Sequence, residues 1–329
     1  MSTGEPLEKQ QSILLETGTN EVEIAELIVN NQSFGLNVAK VQQIVQISRS
    51  DITHLPTSHP SLLGTIIFRG RTIPLIDLKH VLFRKFMDPE EVPLVLVTEF
   101  NETMIAFLVN GAEQIHRFTW DDLQPLSAFL RNNTSHVTGT LTVKGKDILI
   151  LDIEHLTAQI LPEVSFKEIE SDESGEDVRE KRQAVRVLYA EDSSFIRNSV
   201  ARELKKHGYT TLHEVDNGKA AYTHILNLKE KAKKSDKSIE DLLDIVLTDI
   251  EMPQMDGLTL CRRIKKELGL KLPVIVFSSL ISDQMKHKCN EVGADAALSK
   301  PQVGEIIELM DQFILNVDSG KPLPGQTNT

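Results

Sequence analysis

Asp249 ends the apolar run Ile245-Val-Leu-Thr-Asp249 and opens the loop Ile-Glu-Met-Pro-Gln-Met-Asp-Gly257, which contains a proline and closes on glycine. Three further apolar runs end on side chains that can do chemistry. Val185-Arg-Val-Leu-Tyr-Ala-Glu-Asp192 ends on an acid pair, Pro273-Val-Ile-Val-Phe-Ser278 on a hydroxyl, and Ala296-Ala-Leu-Ser-Lys-Pro301 on a lysine before proline. Taken singly, each has an ordinary structural explanation, because strand-end Asp and Ser residues form turns and helix caps. The order of the four gives them a common purpose. Carboxylates gathered at one sheet edge repel one another and resist ionisation unless a cation lies among them. A divalent ion therefore belongs with Glu191, Asp192 and Asp249, and oxygen ligands suit Mg²⁺.

Such a site needs a scaffold that delivers successive strand ends to one edge. Strands are predicted at Val185–Ala190, Thr210–Val215, Ile245–Ile250, Val274–Phe277 and Ala296–Leu298. Between them, Ser194–His207 has helical spacing in Ile196, Val200 and Leu204 and is closed by Gly208. Further helices are predicted from Gly218 through Leu228, over Leu258–Leu268 and Asp283–Val292, and last over Val303–Asn316. Five strands alternating with helices predict a doubly wound, flavodoxin-like α/β domain over 184–317, with its site at the strands' carboxyl ends.

The ordered constellation resembles the phosphoacceptor receiver domain of two-component signalling. That resemblance implies Asp249 as phosphoacceptor, and Glu191, Asp192, Asp249 and the backbone carbonyl of Glu251 as ligands of Mg²⁺. It implies Ser278 on a phosphoryl oxygen and Lys300 paired with the acceptor carboxylate or the phosphate. Such a domain alters only itself, hydrolysing its acyl phosphate slowly, and is not expected to be an enzyme. Two positions depart from the family pattern: Glu191 stands where Asp is commoner, and Ala297 where many members carry an aromatic that moves on phosphorylation. With no aromatic to move, output is expected through a change between the domains.

The 329 residues allow two ordinary domains, and 40% hydrophobic with 26% charged residues is a globular composition. The net charge is −12, and Lys/Arg against Asp/Glu count 12 and 19 over 1–162, 4 and 8 over 163–183, and 20 and 21 over 184–329. No part is basic, so no nucleic-acid partner is expected. The Lys229–Lys237 cluster, interrupted by Glu230 and Asp236, reads as a solvated helix end or loop. Without an apolar run of membrane-spanning length or a signal-like N-terminus, no membrane insertion is expected and the location is expected to be cytoplasmic. Cys261 and Cys289 lack metal-ligand spacing and read as reduced structural thiols. Residues 163–183, centred on Ser171-Asp-Glu-Ser-Gly-Glu-Asp177, read as an acidic linker whose end, Val178–Arg186, could form a short helix, and 318–329 as a disordered tail.

The first 162 residues follow another pattern. After a short helix at about 8–16 come strand-like runs at Ala25–Val29, Ser33–Val38, Gly64–Arg69, Thr72–Ile76, Leu94–Thr98, Met104–Val109, Gly139–Val143 and Asp147–Leu151. Asn30-Asn31, Arg69-Gly70, Asn110-Gly111 and Lys144-Gly145 separate several of them, which predicts antiparallel barrels. Arg69–Leu78 and Leu141–Ile153 repeat a hairpin ending in an apolar-Asp-apolar step. Phe34-Gly-Leu-Asn-Val-Ala-Lys-Val-Gln-Gln-Ile44, Leu55-Pro and Leu63–Leu78 resemble the CheW coupling family of bacterial chemotaxis. The likeness implies two small five-stranded β-barrels that dock to chemoreceptors and to the histidine kinase CheA. Gly70 reads as a turn glycine, while Arg69, a charge at the end of an apolar strand, is placed either at a receptor or kinase contact or in a pair with Asp77. Both Arg69 and Gly70 are carried forward as partner-contact candidates.

A coupling domain followed by a receiver resembles the CheV architecture. It implies a phosphorylation-responsive adaptor between chemoreceptors and CheA, at receptor arrays by the inner membrane. The alternative is a phosphate sink that drains phosphoryl groups from CheA.

Overall fold

The computed structural model describes residues 20–56, 59–88, 90–101, 103–126, 134, 136–162, 175–300 and 303–315. The chain divides between Val164 and Ser165 into two compact units. The helix expected at 8–16, the centre of the acidic linker and the tail at 318–329 lie outside the described residues.

The first unit runs β1 (Glu21–Val29), β2 (Gln32–Asn37), β3 (Val41–Gln46), β4 (Leu62–Phe68), β5 (Arg71–Asp77), α1 (Leu78–Phe83), β6 (Leu94–Phe100), β7 (Thr103–Val109), β8 (Gly111–Thr119), β9 (Gln124–Pro125), β10 (Val137–Val143), β11 (Lys146–Leu151) and α2 (Ile153–Ile160). One sheet has the order β8-β1-β2-β11-β10-β9 and the other β3-β6-β7-β5-β4. The sixth strand of the first sheet, beyond the five expected, is the two-residue β9 on β10. Val45 of β3 and Ile66 of β4, from opposite edges of the second sheet, pack on one core, so this sheet curls around its own interior. The first sheet does the same around Val22, Ile24, Leu141 and Ile148. A third core, with Leu27, Phe34, Leu78, Phe107 and Leu156, joins the two.

The repeat legible in the sequence governs this topology. In both β4–β5 and β10–β11 a two-residue turn has both residues at positive φ, Arg69 and Gly70 at 47° and 76° and Lys144 and Gly145 at 48° and 78°. That is the backbone of a type I′ hairpin. Each first strand carries a register shift, at Leu62/Gly64 and at Val137/Gly139. Each second strand ends on an Asp that caps a helix, Asp77 accepting from the His80 amide and Asp152 from the His155 amide. The two repeats exchange strands. β1 and β2 of the first complete the sheet built by β8–β11 of the second, while β6 and β7 of the second complete the sheet built by β3–β5 of the first. The parallel pairs β2–β11 and β5–β7 are the seams.

The second unit runs α3 (Glu176–Ala184), β12 (Arg186–Ala190), α4 (Ser194–Lys206), β13 (Thr211–Val215), α5 (Gly218–Lys234), β14 (Ile245–Thr248), α6 (Gly257–Arg262), β15 (Val274–Ser278), α7 (Asp283–Val292), β16 (Ala296–Ser299) and α8 (Val303–Met310). Its parallel sheet has the order β13-β12-β14-β15-β16. This is a doubly wound sheet whose strand order reverses beside β12, and such folds bind ligands outside the carboxyl ends of the strands at that point. α5 continues six residues past Leu228 through the lysine-rich segment. α6 and α8 each end in a turn of π-helix, over Arg263–Glu267 and Asp311–Leu315.

α3 occupies part of the segment read as linker. It is polar throughout, EDVREKRQA, with Arg182 its only buried residue. The Arg182 guanidinium donates to both carboxylate oxygens of Asp311 at 2.9 and 2.6 Å and to the His207 carbonyl at 2.9 Å. Tyr209 donates to the same carboxylate at 2.6 Å.

Candidate functional site

The sheet brings the four separate strand ends into one cluster. Asp249 follows β14 and is 3% exposed, with its amide donating to the Ala190 carbonyl at the end of β12. Its Oδ1 accepts from the Ile250 amide at 2.6 Å and its Oδ2 from the Lys300 ammonium at 2.9 Å. The same ammonium lies 2.7 Å from Glu191 Oε2, and both Lys300 and Glu191 have side chains only 1% exposed. One buried cation therefore bridges the first acid and the central acid.

The loop after Asp249 requires its terminal glycine. A Cβ on Gly257 would lie 1.9 Å from the Asp249 carbonyl oxygen, and the Gly257 amide donates to the Ile250 carbonyl at 2.9 Å. The neighbouring Asp256 caps α6 through the Thr259 amide and hydroxyl, and burial pushes its carboxyl above the usual range despite those hydrogen bonds. The loop is thus clamped at both ends, and Asp249 is held between strand and turn.

Glu191, Asp192 and Asp249 each offer a carboxylate oxygen within 4.8 Å of the others. Arg197 donates to the backbone carbonyls of Glu191 and Asp192 at 2.6 and 3.4 Å and so orients that strand end without taking a carboxylate. Three carboxylates against the single Lys300 ammonium leave two formal negative charges, and every donor is a hard oxygen. This set fits a divalent ion such as Mg²⁺. Glu251 is 8% exposed and lies outside the carboxylate cluster.

Ser278 ends β15 fully buried; its carbonyl accepts from the Lys300 amide at 3.2 Å, which sets the lysine's height above the sheet. Ala297 is 9% exposed and pairs in register with Val276. Tyr189, two residues before Glu191, is wholly buried in a run that reads as plain apolar strand.

In the first unit Arg69 is an exposed turn residue at φ 47°, its guanidinium 5.1 Å from the Phe68 ring and 3.3 Å from Gln43 Oε1. It does not pair with Asp77, which is 1% exposed and engaged by the His80 and Met87 amides. The reason is the hairpin itself, which puts its turn and its last strand residue at opposite ends. Gly70, at φ 76° with open space around it, serves the turn conformation. Ile67 beside them is 76% exposed, a feature that strand alternation alone would have revealed.

Residues 24–160 match the CheW-like domain family, and residues 187–311 the response regulator receiver domain family. The chain is 31% identical over 286 residues to the chemotaxis protein CheV3 of Helicobacter pylori, covering 85% of this chain and 88% of the relative. It is 24% identical over 302 residues to CheV1 of the same organism, covering 87% and 90%. The first unit is 26% identical over 148 residues to the chemotaxis protein CheW of Thermotoga maritima, covering 45% of this chain and 93% of that one.

Proposed function

This chain belongs to the CheV family of chemotaxis proteins, and on that premise we propose that its first unit couples chemoreceptors to the histidine kinase CheA under the control of phosphate carried by Asp249. It is a chemotaxis coupling adaptor with a receiver domain, and both modules are non-catalytic signalling modules. The observation that carries the phosphate reading is the Lys300 ammonium buried between Glu191 and Asp249.

In this reading an Asp249 oxygen attacks the phosphorus of a phosphohistidine on CheA. The P–O bond forms as the P–N bond breaks, and the electron pair passes to the imidazole. Lys300 is already on the acceptor carboxylate and neutralises the phosphoryl group as it arrives, while Ser278 hydrogen-bonds one of its oxygens. Glu191, Asp192, Asp249 and the Glu251 carbonyl would hold Mg²⁺, which would supply neutralisation of the phosphoryl oxygens when bound. The acyl phosphate is lost slowly by in-line attack of water. Among the described residues no helix is long and apolar enough to cross a membrane, and the proposed partners place the protein at cytoplasmic receptor arrays.

The test is incubation with a small acyl-phosphate donor and Mg²⁺, read by intact mass. The protein gains one phosphate, and Asp249→Asn gains none; labelling retained in Asp249→Asn overturns the assignment.

A further inference from the structure

Glu191 Oε2 lies 2.7 Å from the Lys300 ammonium, and Glu191 Oε1 accepts from the Ser193 amide at 3.3 Å. Both oxygens of this proposed metal ligand are already engaged. The Glu191 and Lys300 side chains are each 1% exposed, so water and salt screen their pairing little. The same ammonium lies 2.9 Å from Asp249 Oδ2. Two of the three carboxylates that could hold a divalent ion thus share one cation belonging to the chain itself.

That internal cation and a metal compete for the same oxygens. A divalent ion entering among Glu191, Asp192 and Asp249 meets the Lys300 charge at short range, where burial strengthens the repulsion. For Glu191 to ligate the ion, its pair with Lys300 must break, and breaking a buried pair is strongly unfavourable.

Side-chain length decides whether this pair exists. An aspartate at 191 would draw the carboxylate back by about one C–C bond, about 1.5 Å. That takes a 2.7 Å contact out of hydrogen-bonding range. Neither backbone is placed to follow, since the Glu191 amide donates to the Val215 carbonyl at 3.1 Å and the Lys300 amide to the Ser278 carbonyl at 3.2 Å. We infer that the longer side chain of Glu191 makes Lys300 a built-in competitor of the metal, so that the Glu191–Lys300 pair sets the concentration of divalent cation at which the receiver fills. The inference rests on the reading of Glu191 as a metal ligand.

The experiment is a magnesium titration of the full chain by NMR chemical shifts, with thermal unfolding by calorimetry in excess chelator. It compares the protein, Glu191→Asp, Lys300→Met and the double variant. The expected result is a split: Glu191→Asp binds Mg²⁺ about tenfold more tightly, while the metal-free melting temperature of its second unit falls by about 3 °C because the pair is gone. Lys300→Met should tighten Mg²⁺ binding about tenfold more in the unsubstituted background than in Glu191→Asp, the mark of a direct coupling between the two residues. Equal or weaker Mg²⁺ binding in Glu191→Asp overturns the inference. So does an equal effect of Lys300→Met in both backgrounds, which would make aspartate merely the better ligand. If none of the four proteins binds Mg²⁺, the metal reading itself falls and this inference with it.

Discussion

Arg182 and Asp311 meet through two parallel hydrogen bonds of 2.9 and 2.6 Å, in a place where Arg182 is only 2% exposed. A helix with no apolar face is thereby fastened to the end of the receiver's last helix. The fork geometry matters, since a guanidinium can satisfy both carboxylate oxygens at once.

Removing one partner of a buried pair leaves the other charge stranded, at a cost of about 3–5 kcal/mol. Arg182→Ala should therefore raise amide hydrogen exchange throughout β12–β16. The double variant Arg182→Met with Asp311→Leu should recover most of the protection, since it strands no charge. Equal exchange in the protein and in Arg182→Ala would show that α3 is not anchored by this pair.

Gly257→Ala places a methyl 1.9 Å from the Asp249 carbonyl oxygen, so the loop has to move and the acceptor with it. The expected result is a folded second unit, by circular dichroism, whose phosphate uptake from an acyl-phosphate donor falls at least tenfold. Undiminished uptake would show that the loop can shift without displacing Asp249.

The first unit should lose stability in mild acid. Burial, then the charges of His155 and Arg84, lower the pKa of His136 from 6.5 to about 4. The unfolded chain takes up this proton near pH 6.5 and the folded chain only near 4. This contribution is therefore complete above pH 6.5 and is lost as pH falls through that window. Denaturant unfolding followed by Trp120 fluorescence should show the slope, and His136→Asn should flatten it.

Arg69→Glu keeps the turn, because Arg69 is exposed and its backbone conformation is shared with Gly70. It reverses a charge next to the exposed Ile67. Binding to receptor and kinase fragments, measured separately, should weaken at least fivefold for one of them, with the circular dichroism spectrum unchanged. Unaltered affinity for both would assign Arg69 to the turn alone.

The receiver fold was legible because its apolar runs stop on polar side chains, and a parallel sheet brings such stops together. The first unit was legible only where strands are buried on at least one face. β3, VQQIVQ, and β8, GAEQIHRFT, are edge strands with much of their length in water, and neither shows clean alternation. The helices α1 and α2 are hidden behind their own caps, since Asp77 and Asp152 look like strand ends in the sequence although each also begins a helix. α3, foreseen only as a possible short helix over Val178–Arg186, carries no apolar period, and what fixes it is the long-range pairing of Arg182 with Asp311 and the His207 carbonyl, which no local pattern reports.

The exchange of strands between the two repeats sets an order on synthesis. Phe34 and Gly35 find their parallel partners in Leu149 and Ile150, and Leu75 to Asp77 find theirs in Ala106 to Leu108. A nascent chain that has emerged only as far as α1 holds pieces of both sheets and a finished version of neither. The second sheet can close once β7 has left the ribosome, but the first must wait for β11. Pairings so distant in sequence close slowly, so the β1–β2 hairpin spends that interval as an unclosed edge open to wrong partners. By the same logic, the first unit produced without the second and cut between α1 and β6 should yield two fragments that are unstructured apart and fold on mixing, each supplying the strands the other lacks.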